Sequence, residues 1–138
     1  MNIYCLEDFK VEFERLVSKK SYDTLEQDII KYFFGKSIED LSSGTRLNNS
    51  AETPYIKKRL SGRGGFRVYY LLIFKKGNLY LMFVHPKTGP EGSENITDES
   101  KSLLYKKVLK SININDLYLV TINKKAQSLN FEKQEIEW

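Results

Sequence analysis

The chain has 138 residues, 41% hydrophobic and 29% charged, which is the size and mix of one globular domain with one core. No apolar stretch approaches the ~20 residues that cross a bilayer, and the opening MNIYCLEDFK lacks both the basic and the long apolar region of a signal peptide, so neither a membrane span nor a leader is expected. The single cysteine, Cys5, allows no internal disulfide and, with the single histidine, His85, is too little for a zinc site; a cytoplasmic protein without a metal or cofactor is the expectation. The net charge of +4 conceals an asymmetry. Residues 53–90 carry eight Lys and Arg and no acid, whereas the rest of the chain holds 14 basic and 18 acidic residues. Such a distribution produces a directional field that draws polyanions to the basic block.

In chain order, NIYCL reads as a short opening strand. Leu6, Phe9, Phe13, Leu16 and Val17 then recur at helical spacing. A second helix is expected in SYDTLEQDIIKYFFG, with Asp23 and Glu26 at capping-box spacing, Leu25, Ile29 and Phe33 on one face, and Gly35 as C-cap. SIEDLSSG adds a helical turn, and the polar, aperiodic TRLNNSAETP reads as an exposed loop.

From Tyr55 the period becomes that of strands. YIKKRL, FRVYYLLIF and LYLMFVH, separated by SGRGG and KKGN, predict three antiparallel strands. After HPKTGPEGSEN, Thr97 is placed to cap a third helix striped by Leu104, Val108, Leu109 and Ile112. DLYLVTI reads as a last strand at the sheet edge and the remainder as a polar tail. The expected fold is therefore a single α+β domain over 1–138. It has two N-terminal helices, taken as antiparallel, packed on an antiparallel sheet of three or more strands. A further C-terminal helix follows, with 113–138 as a candidate extra strand and tail.

Side-chain alternation indicates which cations can converge. In YIKKRL, Tyr55, Lys57 and Arg59 share one face and Ile56, Lys58 and Leu60 the other. If Ile56 and Leu60 face the helices, Lys57 and Arg59 lie on the open face. Arg67 follows on the neighbouring strand, and His85 and Lys87 stand at the end of the third. Metal-free RNA cleavage needs a base for the 2′-hydroxyl proton, cations for the phosphorane charge and an acid for the leaving 5′-oxygen, roles open to these residue types. Bland readings coexist with this one: lysines on edge strands discourage aggregation, Arg63 suits an exposed turn, and a strand-end histidine commonly serves as a structural hydrogen bonder.

The ordered run LEDFKVEFERLV, GTRL, IKKRLSGRGGFRVYYLL and LYLMFVHPKTGPEGSENIT resembles the RelE/ParE superfamily of type II toxins, particularly its HigB/RelE-like branch, over about residues 1–112. The resemblance implies a ribosome-dependent mRNA endoribonuclease neutralised by a cognate antitoxin. It implies phosphate binding by Arg67 and base and acid roles for His85 and Lys87; with Lys57 and Arg59 from the open strand face these make the expected catalytic set. The expected RNA contacts are Lys58, Arg63, Lys75, Lys76 and Tyr69, whose parity with Arg67 makes it the candidate for stacking on a base. Two alternatives stay open: a ParE-like toxin that inhibits DNA gyrase without cutting nucleic acid, and a general RNA-binding module.

Overall fold

The structure, a computed structural model, describes residues 1–60, 65–86 and 96–138. Its elements are β1 (Asn2–Cys5), α1 (Glu7–Val17), α2 (Leu25–Phe33), β2 (Thr45–Arg46), β3 (Tyr55–Leu60), β4 (Phe66–Ile73), β5 (Asn78–Pro86), α3 (Asp98–Ile114), β6 (Tyr118–Asn123) and β7 (Ser128–Lys133). The seven strands form one sheet in the order β2-β3-β4-β5-β1-β6-β7. No helix among the described residues is long and apolar enough to cross a membrane.

The α+β class and the central β3-β4-β5 meander agree with the sequence reading; the sheet around them is larger and mixed. β1 pairs in parallel with β5, Tyr4 opposite Tyr80, and antiparallel with β6, so the opening strand lies inside the sheet. The C-terminal stretch forms two strands. β6 is not the edge, because β7 pairs along its whole length, Val120 opposite Phe131. Only Leu129 of β7 is buried, and so little apolar content hides a strand that gains its stability from pairing. Thr45 and Arg46, expected in a loop, pair with Lys57 and Ile56 of β3. Asp40–Ser42 supplies the expected extra turn, a short 3₁₀ helix.

Two apolar layers form, one on each face of the sheet. Phe9, Phe13 and Leu16 of α1 and Leu25, Ile29 and Phe33 of α2 join the buried cluster that contains Ile56, Val68 and Tyr70. Leu104 and Val108 of α3 join Tyr55, Tyr69, Leu71 and Tyr80 on the other side. The face expected to be open is thus partly roofed by α3. The cause is legible in β4, whose FRVYYLLI is almost unbroken in apolar character, as a strand covered on both faces must be.

Local capping departs from expectation at α2. Its N-cap is Thr24, which makes no side-chain cap bond, and Glu26 Oε2 instead accepts the Leu129 N–H of β7 at 3.0 Å. Among the described glycines only Gly44 and Gly77 have positive φ, so Gly35 does not provide a left-handed cap. At α3 the expectation holds: Thr97 Oγ1 accepts the Ser100 N–H at 3.0 Å. Leu104, Val108 and Ser111 form the buried stripe, and Leu109, about 100° further round the helix than Val108, is exposed.

Candidate nucleic-acid interface

Strand register brings three of the predicted cationic groups into one row. Arg59 on β3 is opposite Arg67 on β4, and Arg67 is opposite His85 on β5. The next row holds Lys57, Tyr69 and Phe83. Directly opposed residues place their Cβ atoms about 4.5–5.5 Å apart, so these side chains are immediate neighbours.

A β-bulge sets this alignment. The register shifts between Tyr69 and Tyr70, whose partners are Phe83 and Leu81, leaving Met82 as an extra residue in β5. Leu79 and Leu81 belong to the cluster under α1 and α2. Continued alternation would send Phe83 and His85 the same way. The extra residue reverses the phase, turning His85 to the face of Arg67 and returning Val84 to the core.

The local environment disfavours positive charge. His85 is only 6% exposed, and its ring lies 5.9 Å from that of Tyr69 at an interplanar angle of 13°. Burial lowers its pKa below the ordinary 6.5, with Arg67 and Lys57 acting in the same direction. The Pro86 backbone and Glu12 of α1 act against them. Lys57 is half-buried, and its pKa is lowered by desolvation and then by Lys101 and Arg67. Arg67 Nη1 is buried with no hydrogen-bond partner among the described residues. Burial also raises the pKa of the Tyr69 phenol, partly offset by Arg67 and the Ile96 backbone.

The other predicted residues are placed less favourably for a single site. Lys58 lies on the opposite face, its Nζ 5.5 Å from the Tyr32 ring centroid. Arg59 is exposed and lines a hollow with Tyr32 and Lys36 on the α2 side. Tyr69 is fully buried, so it supports the His85 ring and offers no platform for a base. Lys75 and Lys76 sit in the β4–β5 turn, at the opposite end of the hairpin from Arg67. The six residue-to-residue steps from Arg67 to Ile73 alone span about 20 Å of strand, which removes both lysines from the row. Arg63 and Lys87 lie outside the described residues.

Two groups at this face escaped the sequence reading. Lys101 on the first turns of α3 lies near enough to lower the pKa of Lys57, and its carbonyl accepts the Tyr55 hydroxyl at 3.1 Å. Glu12 of α1 bears on His85. Neither leaves a sequence signal, because each reaches the row only through helix packing.

With desolvated cations flanking a neutral imidazole, this face is suited chemically to hold an anion and to accept a proton beside it. No family model, curated protein or solved structure matches the chain significantly.

Proposed function

We propose that the chain is a toxin of RelE/ParE type, in the HigB/RelE-like branch, that cleaves messenger RNA in the cytoplasm, on the ribosome, and is held inactive by a cognate antitoxin. The observation that carries this reading is the bulge-aligned row of Arg67 and His85, with Lys57 beside it, in an environment that keeps the imidazole neutral near pH 7.

The proposed chemistry assigns each residue a role. His85 takes the proton of a ribose 2′-hydroxyl, and the 2′-oxygen forms a bond to the adjacent phosphorus. Arg67 and Lys57 stabilise the charge that builds on the non-bridging oxygens, as preformed cationic donors do in a water-poor site. The bond to the 5′-oxygen then breaks, and a lysine, Lys57 or Lys87, protonates the leaving group. The products are a 2′,3′-cyclic phosphate and a 5′-hydroxyl. Lys57 suits the donor role because its lowered pKa eases proton release. Arg59 adds charge at the rim.

The antitoxin follows from the same surface. A cationic face is closed effectively by an acidic segment that folds on binding, and we place the gene for that partner beside this one.

The burial of His85 favours a second reading, in which the cations bind a partner such as DNA gyrase and no bond is broken. Induction in a bacterial host, with primer extension across an abundant transcript, separates the two. New 5′ ends and growth arrest with the wild type, both lost in Arg67→Ala and His85→Ala variants that remain folded by circular dichroism, support cleavage. Arrest without new ends supports the binding reading.

A further inference from the structure

A second group of cations surrounds one aromatic ring on the side of β3 away from Arg67 and His85. Lys36 Nζ lies 3.9 Å from the centroid of the Tyr32 ring and Lys58 Nζ 5.5 Å from it. Because both distances end at the same ring, the two ammonium groups lie within roughly 10 Å of each other, one Debye length at 0.1 M salt. Lys31 and Arg59 line the same hollow as Tyr32 and Lys36, and Asp28 is the acid among its lining residues.

Two elements supply these charges. Lys31 and Tyr32 are on the last turns of α2, and Lys36 follows its end. The negative end of the helix dipole favours both lysines there, so their positions need no ligand. Lys58 is different. It comes from β3, on the face that otherwise carries Ile56 and Leu60 into the core, and its half-buried side chain leads to a ring that already has a lysine over it. One tyrosine gains little from a second ammonium group, whereas a phosphate chain gains from each.

The sheet edge connects this group with the row on the other face. β2 pairs only with Ile56 and Lys57, so Lys58–Leu60 forms the outer edge among the described residues. Alternation sends Lys57 to one face and Lys58 to the other, and Arg59, opposite Arg67 in register, lines the Tyr32 hollow. Positive charge therefore continues around the edge from the Arg67 face to α2.

We propose that the Tyr32 patch is a second RNA-binding surface, which holds the backbone of a single strand after it passes around the edge of β3 from the Arg67–His85 face. This rests on the reading of that face as an RNA-cleaving site. With cations over the Tyr32 ring, the patch recognises phosphate charge and not base identity, so its binding is independent of sequence.

The test uses the full chain carrying His85→Ala to prevent cleavage, and a labelled 20-nucleotide single-stranded RNA. Adding Lys31→Ala with Lys36→Ala, both exposed positions, weakens binding about 10-fold at 50 mM salt and lowers the log–log salt slope by about 1.4, the value for two phosphate contacts. Lys31→Arg with Lys36→Arg restores both quantities. If the alanine pair changes neither while Arg67→Ala weakens binding, the patch proposal is overturned and the site reading stands. If Arg67→Ala also has no effect, both fall. Loss of binding to a polyglutamate peptide with RNA binding intact assigns the patch to an acidic protein segment and likewise overturns the proposal.

Discussion

Replacing Arg67 with methionine separates what this residue costs the fold from what it contributes to function. Methionine keeps an unbranched apolar stem in the Tyr69–Phe83 layer and removes the guanidinium. In the wild type, Nη1 is buried without a hydrogen-bond partner among the described residues, and the charge bears unfavourably on both His85 and Lys57. A buried unsatisfied polar group costs about 1–3 kcal/mol, and the partial exposure of Arg67 argues for the lower half of that range. The Arg67→Met variant is therefore expected to be more stable by about 1–2 kcal/mol in urea titration, which raises Tm by roughly 3–8 °C for a domain of this size. Under the proposed function, loss of this donor is expected to lower RNA cleavage by about 100-fold, since one phosphate-stabilising donor is worth ~2.7 kcal/mol or more. The His85 pKa should rise at the same time, followed by NMR of the imidazole protons, because a lowering charge has gone. A more stable but inactive variant is the signature of a residue retained for function. Lower stability, with cleavage intact, would refute the reasoning and make Arg67 a structural cation.

His85→Gln is expected to flatten the pH dependence of stability. The folded pKa lies below the ordinary 6.5, so the unfolded chain takes up the proton first; stability is complete above pH 6.5 and falls as the pH descends towards the folded value, a slope that thermal melts between pH 7.5 and 5.0 should show in the wild type and lose in the variant. Glu26→Ala is expected to cost about 1–2 kcal/mol and to speed hydrogen exchange at the Leu129 amide, whereas Glu26→Gln, which keeps an acceptor oxygen, should lose less; equal exchange in all three proteins would remove this cross-link from the account. Gly44→Ala is expected to cost about 2–3 kcal/mol by chemical denaturation, because φ is +124° and a Cβ would stand 2.8 Å from Ile56 Cγ2 and 2.9 Å from the Lys57 carbonyl oxygen; a variant as stable as the wild type would refute the steric argument.

Elements whose own residues carry the pattern were legible in the sequence. The apolar faces of α1 and α2, the Thr97 cap and the β3-β4-β5 meander each follow from periodicity or turn chemistry within one segment. What was not legible depends on partners distant in the chain. Glu26 has the spacing of a capping box, yet it bonds to Leu129, 103 positions away, because β7 brings an edge N–H to it. The place of β1 between β5 and β6 likewise has no local signature. The candidate site divides along the same line. Alternation within β3 separates Lys57 from Lys58, and Lys58 is indeed on the face of Tyr32. His85 shows the opposite case: simple alternation from Leu79 through Leu81 and Phe83 would bury it beneath α1 and α2. Only the bulge at Met82, which no residue type announces, brings it opposite Arg67.

Protection of an edge strand from pairing with another molecule accounts for part of the basic block and not for the rest. Edge protection requires charge that is exposed at the unpaired strand. Arg59 meets that requirement, and Lys58 meets it in part, as both follow the end of β2 pairing. Lys57 does not, because it is paired with Thr45 of β2 and is half-buried near Lys101. Arg67 and His85 are on interior strands, where there is no edge to protect. Arg67 and Lys57 are neighbouring like charges, burial disfavours the charged forms of Lys57 and His85, and Lys57 lies beside Lys101 of α3. Folding alone would favour apolar residues at such positions, since like charges under partial cover oppose the compact state. A bound anion would offset the repulsion between Arg67 and Lys57, and that offset is the physical ground for the proposed phosphate contact at this face.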